Sequence, residues 1–226
     1  MKLEELSARD ENASASEPPI GGVGPAMQWE VMFYFAILNI AMGLGSPQGI
    51  AAIPISYFLK DSLHLSPVRL AIFVAIASIP VCGGFLFGFI RDRWRSAKWG
   101  DQQYLFACAL VAAAGYFWLT TSTIDYYKLL SLVFVVVTLY VMIFTSAQAL
   151  MAGVAQAYGM TGRLSVAFSF GYFVPLVISA LAGGWLVAHV SVRGTFLIVA
   201  GVTILIAIQA FWRLDAATEF ESAPVP

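Results

Sequence analysis

Six long apolar runs, joined by short polar links, decide what this chain can become. They cover about Trp29–Phe58, Pro67–Ile90, Tyr104–Thr121, Leu129–Ala152, Leu164–Val187 and Gly194–Trp212. A helix needs about 20 apolar residues to cross a bilayer, and the runs are of that order or longer. A chain 60% hydrophobic and 11% charged cannot hide so much apolar surface in its own core; a soluble domain is about 25% charged. Lipid must cover the rest, so the lipid bilayer is the first partner. In hydrocarbon only helices and closed barrels satisfy every backbone group. The expected fold is therefore an all-α membrane protein, a six-transmembrane-helix bundle.

The ends read differently. Met1–Pro25 is polar, acidic and rich in Ala, Ser, Pro and Gly, with no apolar core before Val31, so it is not a signal peptide. The domain reading is a disordered cytoplasmic tail at 1–28, a transmembrane domain at 29–213, and a second disordered cytoplasmic tail at 214–226.

Within the first run, Gly43, Gly45, Pro47 and Pro54 predict a helix bent or broken near Gly45-Ser46-Pro47. Pro67 suits the start of the second helix. Gly84, Gly88, Gly183 and Gly184 are candidates for close helix packing; Gly84 and Gly88, four apart, share one face. Gly153–Gly162 reads as a glycine-punctuated connection.

The link at Gly88–Lys98 carries four of the twelve Lys and Arg residues: Arg91, Arg93, Arg95 and Lys98. Cytoplasmic loops carry the excess of positive charge. With this link inside, Lys2, Arg9, Arg163 and Arg213 join it, and Lys60, Arg69, Lys128 and Arg193 fall outside. The expected location is the plasma (inner) membrane with both termini cytoplasmic. The link is open to two readings, a determinant of topology alone or a gate.

All thirteen Asp and Glu residues lie in tails, loops or span ends. Intramembrane carboxylates are the usual proton relays, so a relay through Asp or Glu is not expected. Uncharged polar residues do fall in stripes. Thr138, Thr145, Gln148 and Gln156 lie within about 80° on a helix, and Ser165, Ser169, Tyr172 and Ser179 form a similar face. Asn39 and Ser46 nearly eclipse in the first run. Such stripes must face protein or water. Either they line a substrate pathway, with Asn39, Ser46, Thr145, Gln148 and Tyr172 as candidates, or they hydrogen-bond between helices.

Other chemistry lacks its residues. Cys82 and Cys108 sit inside apolar runs and read as small buried residues. No metal-ligand spacing, phosphate loop or basic nucleic-acid patch is present, so no metal, cofactor or nucleic-acid partner is expected, and no catalytic residue is assigned. An intramembrane serine hydrolase would need Ser46 activated by His189.

Gly88-Phe-Ile-Arg-Asp92-Arg93, after the second of six spans, resembles the loop motif of the major facilitator superfamily. That pattern has a second glycine, absent here, and its later basic residues are shifted to Arg95 and Lys98. The resemblance implies half of a major-facilitator-type fold. It also implies a gating loop of Gly88, Asp92, Arg93 and Arg95. Tyr57-Phe-Leu-Lys-Asp61, Leu65-Ser-Pro67, Pro80 and Leu86-Phe-Gly88 are similar to the folate-biopterin transporter branch. The implied function is secondary transport of a small organic solute by alternating access, not enzyme catalysis. The expected protein partner is a second copy, as a homodimer, or a second six-helix half. A non-transporting scaffold or a truncated transporter remnant remains the alternative.

Overall fold

The computed structural model describes residues 25–94 and 100–211. Among the described residues eight α-helices run in order: α1 (Pro25–Gly45), α2 (Ala52–Tyr57), α3 (Pro67–Cys82), α4 (Gly84–Trp94), α5 (Asp101–Thr121), α6 (Tyr126–Ala157), α7 (Thr161–His189) and α8 (Val192–Phe211). A π-helical turn, Phe58–Ser62, extends α2. Six of the described segments are long and apolar enough to cross a membrane, α3 and α4 together forming the second. The described residues contain helices and no strand, as the apolar runs require.

Local chemistry sets the helix ends. Ser66 Oγ accepts a hydrogen bond from Arg69 N at 3.5 Å, and Pro67 occupies the first turn of α3, where its missing N–H costs nothing. Pro80 then removes one helical bond; the helix stops at Gly83 and restarts as α4. The helix continues to Trp94, four residues beyond the expected end of the run, so Gly88–Trp94 is helix rather than loop. Arg95 and Lys98 lie outside the described residues.

The expected connection at Gly153–Gly162 is mostly helix. Gly153 is buried on the packed face of α6, and the helix runs on to Ala157. The terminator is Gly159, at φ 63°. Its N–H donates to Gln156 O at 3.4 Å, and Met160 N donates to Ala155 O at 2.9 Å. These paired bonds cap the last carbonyls, and glycine adopts the left-handed conformation they need without penalty.

Packing is strongest between α5 and α8, and between α1 and α7. Small residues let the first pair close up: Ala109, Ala112, Ala200, Ala207 and Ala210 are all buried. The helices form an arc, α7–α1–α8–α5–α6–α3/α4, with lighter contacts of α6 to α1 and α7. Exchanging the first three spans with the last three leaves this pairing unchanged. The α1–α7 pair becomes α6–α3, α1–α8 becomes α6–α5, and α5–α8 maps onto itself. The two ends of the arc are the barest. Only Phe73, Ala77 and Pro80 of α3 are buried. Along α7 a narrow stripe, Leu164, Ala167, Gly171, Pro175, Ser179, Gly183 and Leu186, is buried.

Tyr34 and Gln209 pin the middle of α1 to the end of α8. Tyr34 Oη donates to Gln209 O at 3.2 Å and Gln209 Nε2 donates to Tyr34 O at 2.6 Å. The described chain ends therefore share one end of the bundle, called the terminal end below; the opposite one is the far end.

Candidate functional site

The first span breaks where the sequence anticipated, at Gly45-Ser46-Pro47. The break is level with the middle of its neighbours, because Gly43 meets Pro175 and Gly45 meets Tyr140 and Thr203. A broken helix exposes its last carbonyls, and in lipid each must find a donor. Each does. Met42 O accepts from Ser46 N at 3.1 Å and Leu44 O from Ile50 N at 3.2 Å. Gly43 O accepts from Ser46 Oγ at 3.2 Å. Gly45 O accepts from Tyr116 Oη of α5 at 3.0 Å.

Tyr116 is fully buried and stacks on Phe196, with ring centroids 6.4 Å apart. Beside it, Tyr140 Oη and Thr203 Oγ1 are 2.7 Å apart, and Thr203 Oγ1 also donates to Val199 O at 2.8 Å. This buried tyrosine–threonine cluster was not picked out by the sequence reading. The available signal was tyrosine itself, whose hydroxyl must find a partner when buried.

Two reciprocal close approaches fasten α1 to α7. A Cβ on Gly43 would stand 2.6 Å from Pro175 Cβ, and one on Gly171 would stand 2.5 Å from Asn39 Cβ. Both glycines are required by the space. Of the four glycines expected at packing sites, Gly183 faces Ile53 with a Cβ clearance of 3.0 Å, and Gly84 faces Val141 at 3.6 Å. Gly88 and Gly184 have no described neighbour within 4 Å of a Cβ position.

The expected pathway residues divide. Asn39 is buried at the α1–α7 seam, with Nδ2 donating to Phe35 O of its own helix at 2.8 Å. Phe144 of α6 and Phe168 of α7 pair with centroids 6.0 Å apart. Gln148 lies one turn from that pair toward the terminal end, and Tyr172 lies one turn from it toward the far end. Gln148 is half-buried and Tyr172 is 57% exposed. These three thus flank the α1–α6–α7 junction on different levels. Ser46 belongs to the break itself. Thr145 Oγ1 donates to Met142 O at 3.0 Å.

Other stripe hydroxyls also turn back on their own helices. Thr138 Oγ1 donates to Phe134 O at 2.9 Å, and Ser169 Oγ to Ser165 O at 3.0 Å. Ser179 Oγ is buried without a partner among the described residues, on the α7 stripe between Pro175 and Gly183.

In the expected gating segment, Gly88 of α4 is half-buried and Arg93 is exposed; the Asp92 side chain and Arg95 lie outside the described residues. Arg163 Nη1 donates to Gln28 Oε1 at the terminal end. Asp101 and Gln102 are buried in the first turn of α5. There Asp101 is favoured by the positive end of the helix dipole.

Ser46 and His189 do not meet. His189 Nδ1 hydrogen-bonds Trp185 O at 3.0 Å and its ring stacks on Trp185, centroids 4.9 Å apart. It stands 14 residues beyond Pro175, the α7 contact of the break, which is roughly 21 Å along the helix. Among the described residues no three His, Cys, Asp or Glu side chains gather to hold a metal.

The arrangement offers uncharged hydrogen-bonding groups and apolar walls around a broken helix at mid-bundle.

The sequence profile of the BT1 family matches residues 44–226. A curated protein of Synechocystis sp., named folate-biopterin transporter, is 27% identical over 213 residues, covering 90% of this chain and 41% of that protein. The chain thus spans less than half the length of that relative. No solved structure matches.

Proposed function

The chain belongs to the BT1 family, and from that premise we propose that it is a six-helix unit of a secondary transporter. It moves a small organic solute across the membrane by alternating access. The solute class is a pteridine, as the name of the Synechocystis relative suggests. The observation that carries this reading is the exchange symmetry of the helix pairing. Spans one to three and four to six pack as equivalent sets, the internal repeat common in secondary transporters. Such repeats place the solute near mid-membrane beside broken helices, and α1 breaks at mid-bundle against α6, α7 and α8.

The bare faces of α3/α4 and α7 receive a second six-helix unit, a further copy or a separate chain. Asn39, Gln148 and Tyr172 then face the pathway, and Gly88, Asp92 and Arg93 form the gating contact between units. Both termini lie on the cytoplasmic side of the plasma membrane.

Reconstitution into liposomes tests the reading. Labelled biopterin and folate should accumulate against protein-free controls, and Asp92→Asn should reduce uptake while leaving membrane insertion intact. Light scattering in mild detergent should give the mass of at least two six-helix units. A stable monomer that transports would overturn the pairing, and failure to move any pteridine would overturn the solute class.

A further inference from the structure

A cleft of about 250 Å³ opens between α2, α3 and α6. Its floor is Ile55, Leu59, Phe73, Val133 and Val137, all buried. Phe73 is held edge-on to Tyr126, centroids 5.9 Å apart, so the floor is stiff. Its edge carries three polar side chains, Gln48 and Ser56 on the first span and Ser78 on α3.

These three differ in what they still need. Ser56 Oγ donates to Ala52 O at 2.9 Å and retains acceptor capacity. The Gln48 amide and the Ser78 hydroxyl have no hydrogen-bond partner among the described residues. Gln48 stands in the break of the first span, level with mid-bundle. Gln48 is exposed and Ser78 half-buried, so a bound molecule can reach both groups. The cleft therefore suits an occupant with apolar faces and a polar edge, which would supply the partners these groups need once it shields them from water. Water alone meets the edge and leaves the floor wet.

We infer that this cleft takes the flat heteroaromatic ring of the solute, its faces on the Phe73–Val133–Val137 floor and its edge on Gln48 and Ser78. The inference rests on the transport reading above and names the part of the solute that the first half of the chain recognises. Gln48 both donates and accepts, so it matches a ring edge that carries a carbonyl beside an N–H. Ser78 faces that edge from α3 and adds a second directional bond. The cleft is smaller than the ~300–1,000 Å³ pockets that enclose drug-sized ligands. It holds one bicyclic ring and leaves any larger substituent in the open space beyond Val74.

Equilibrium binding of labelled biopterin to the purified full chain in mild detergent tests this. Ser78→Ala and Gln48→Leu should each weaken binding tenfold or more, and Ser78→Phe, which fills the cleft, should abolish it. Thr120→Ala, at the far end of α5, should bind as the natural protein does. Monodispersity on gel filtration reports whether each variant folds, and Ser78→Ala keeps the test decisive if the bulky variant does not. Unchanged binding by Ser78→Ala and Gln48→Leu overturns the cleft assignment while leaving the transport reading intact. Natural protein that takes up another solute but binds neither biopterin nor folate overturns it as well. Absence of all uptake, by contrast, refutes the transport reading itself.

Discussion

Replacing Gly43 by alanine should loosen the seam between α1 and α7. The added Cβ would stand 2.6 Å from Pro175 Cβ and 2.7 Å from Pro175 Cγ. Carbon atoms are comfortable at about 3.5–4.0 Å, so the helices must part by about 1 Å. A proline ring in a helix cannot swing aside, and Pro175 is buried. Overpacking of this kind costs about 1–3 kcal/mol. Alanine in place of glycine returns about 0.5–1 kcal/mol of backbone entropy. The net loss should be about 0.5–2 kcal/mol.

SDS-driven unfolding in mixed micelles measures that difference. Gly184→Ala is the control, because nothing described lies within 4 Å of its Cβ position; it should be neutral or stabilising. Pro175→Gly removes both offending atoms, so the pair of changes should cost less than the sum of the two alone. If Gly43→Ala behaves like Gly184→Ala, or if the pair is additive, the seam is not as tight as argued.

Tyr116→Phe should strand the Gly45 carbonyl at the helix break and cost about 1–3 kcal/mol in the same assay. Tyr140→Phe should cost less, about 0.5–1.5 kcal/mol, since Thr203 keeps its bond to Val199 O. Gln209→Leu should remove the reciprocal bond to Tyr34 and speed hydrogen exchange around Tyr34 in the middle of α1, with little change at α6. In liposomes, Asn39→Leu and Gln148→Leu should alter uptake without loss of expression; equal loss of both expression and uptake would assign the two amides to packing instead.

Much of the architecture was written in composition and spacing. Hydropathy is additive and local, so six apolar runs give six spanning helices before any contact is known. The break near Gly45–Pro47 and the helix start at Pro67 were equally legible, because proline and glycine act through their own backbone. The missed boundaries show where local reading ends. Gly153 reads as a breaker and is a packing position, while Gly159, six residues on, ends the helix. The two glycines are chemically identical, and only the neighbouring helix distinguishes them.

The same limit applies to the candidate site. The stripes of serine and threonine were visible, yet Thr138 and Ser169 satisfy themselves within one turn of their own helices. Bonds that tie helices together come instead from such residues as Tyr34, Tyr116 and Tyr140, whose partners lie 175, 71 and 63 residues away in sequence. A helical wheel gives the direction of a side chain but not what stands opposite. The sequence by itself determined that this chain spans a membrane six times and where its first span fails. Only the tertiary structure decided which carbonyls that failure exposes, that a tyrosine from α5 meets one of them, and that Gln48 and Ser78 face a common cleft. Membrane partition depends on residue totals, whereas a hydrogen bond depends on two atoms within about 3 Å, and that proximity exists only once the helices have packed.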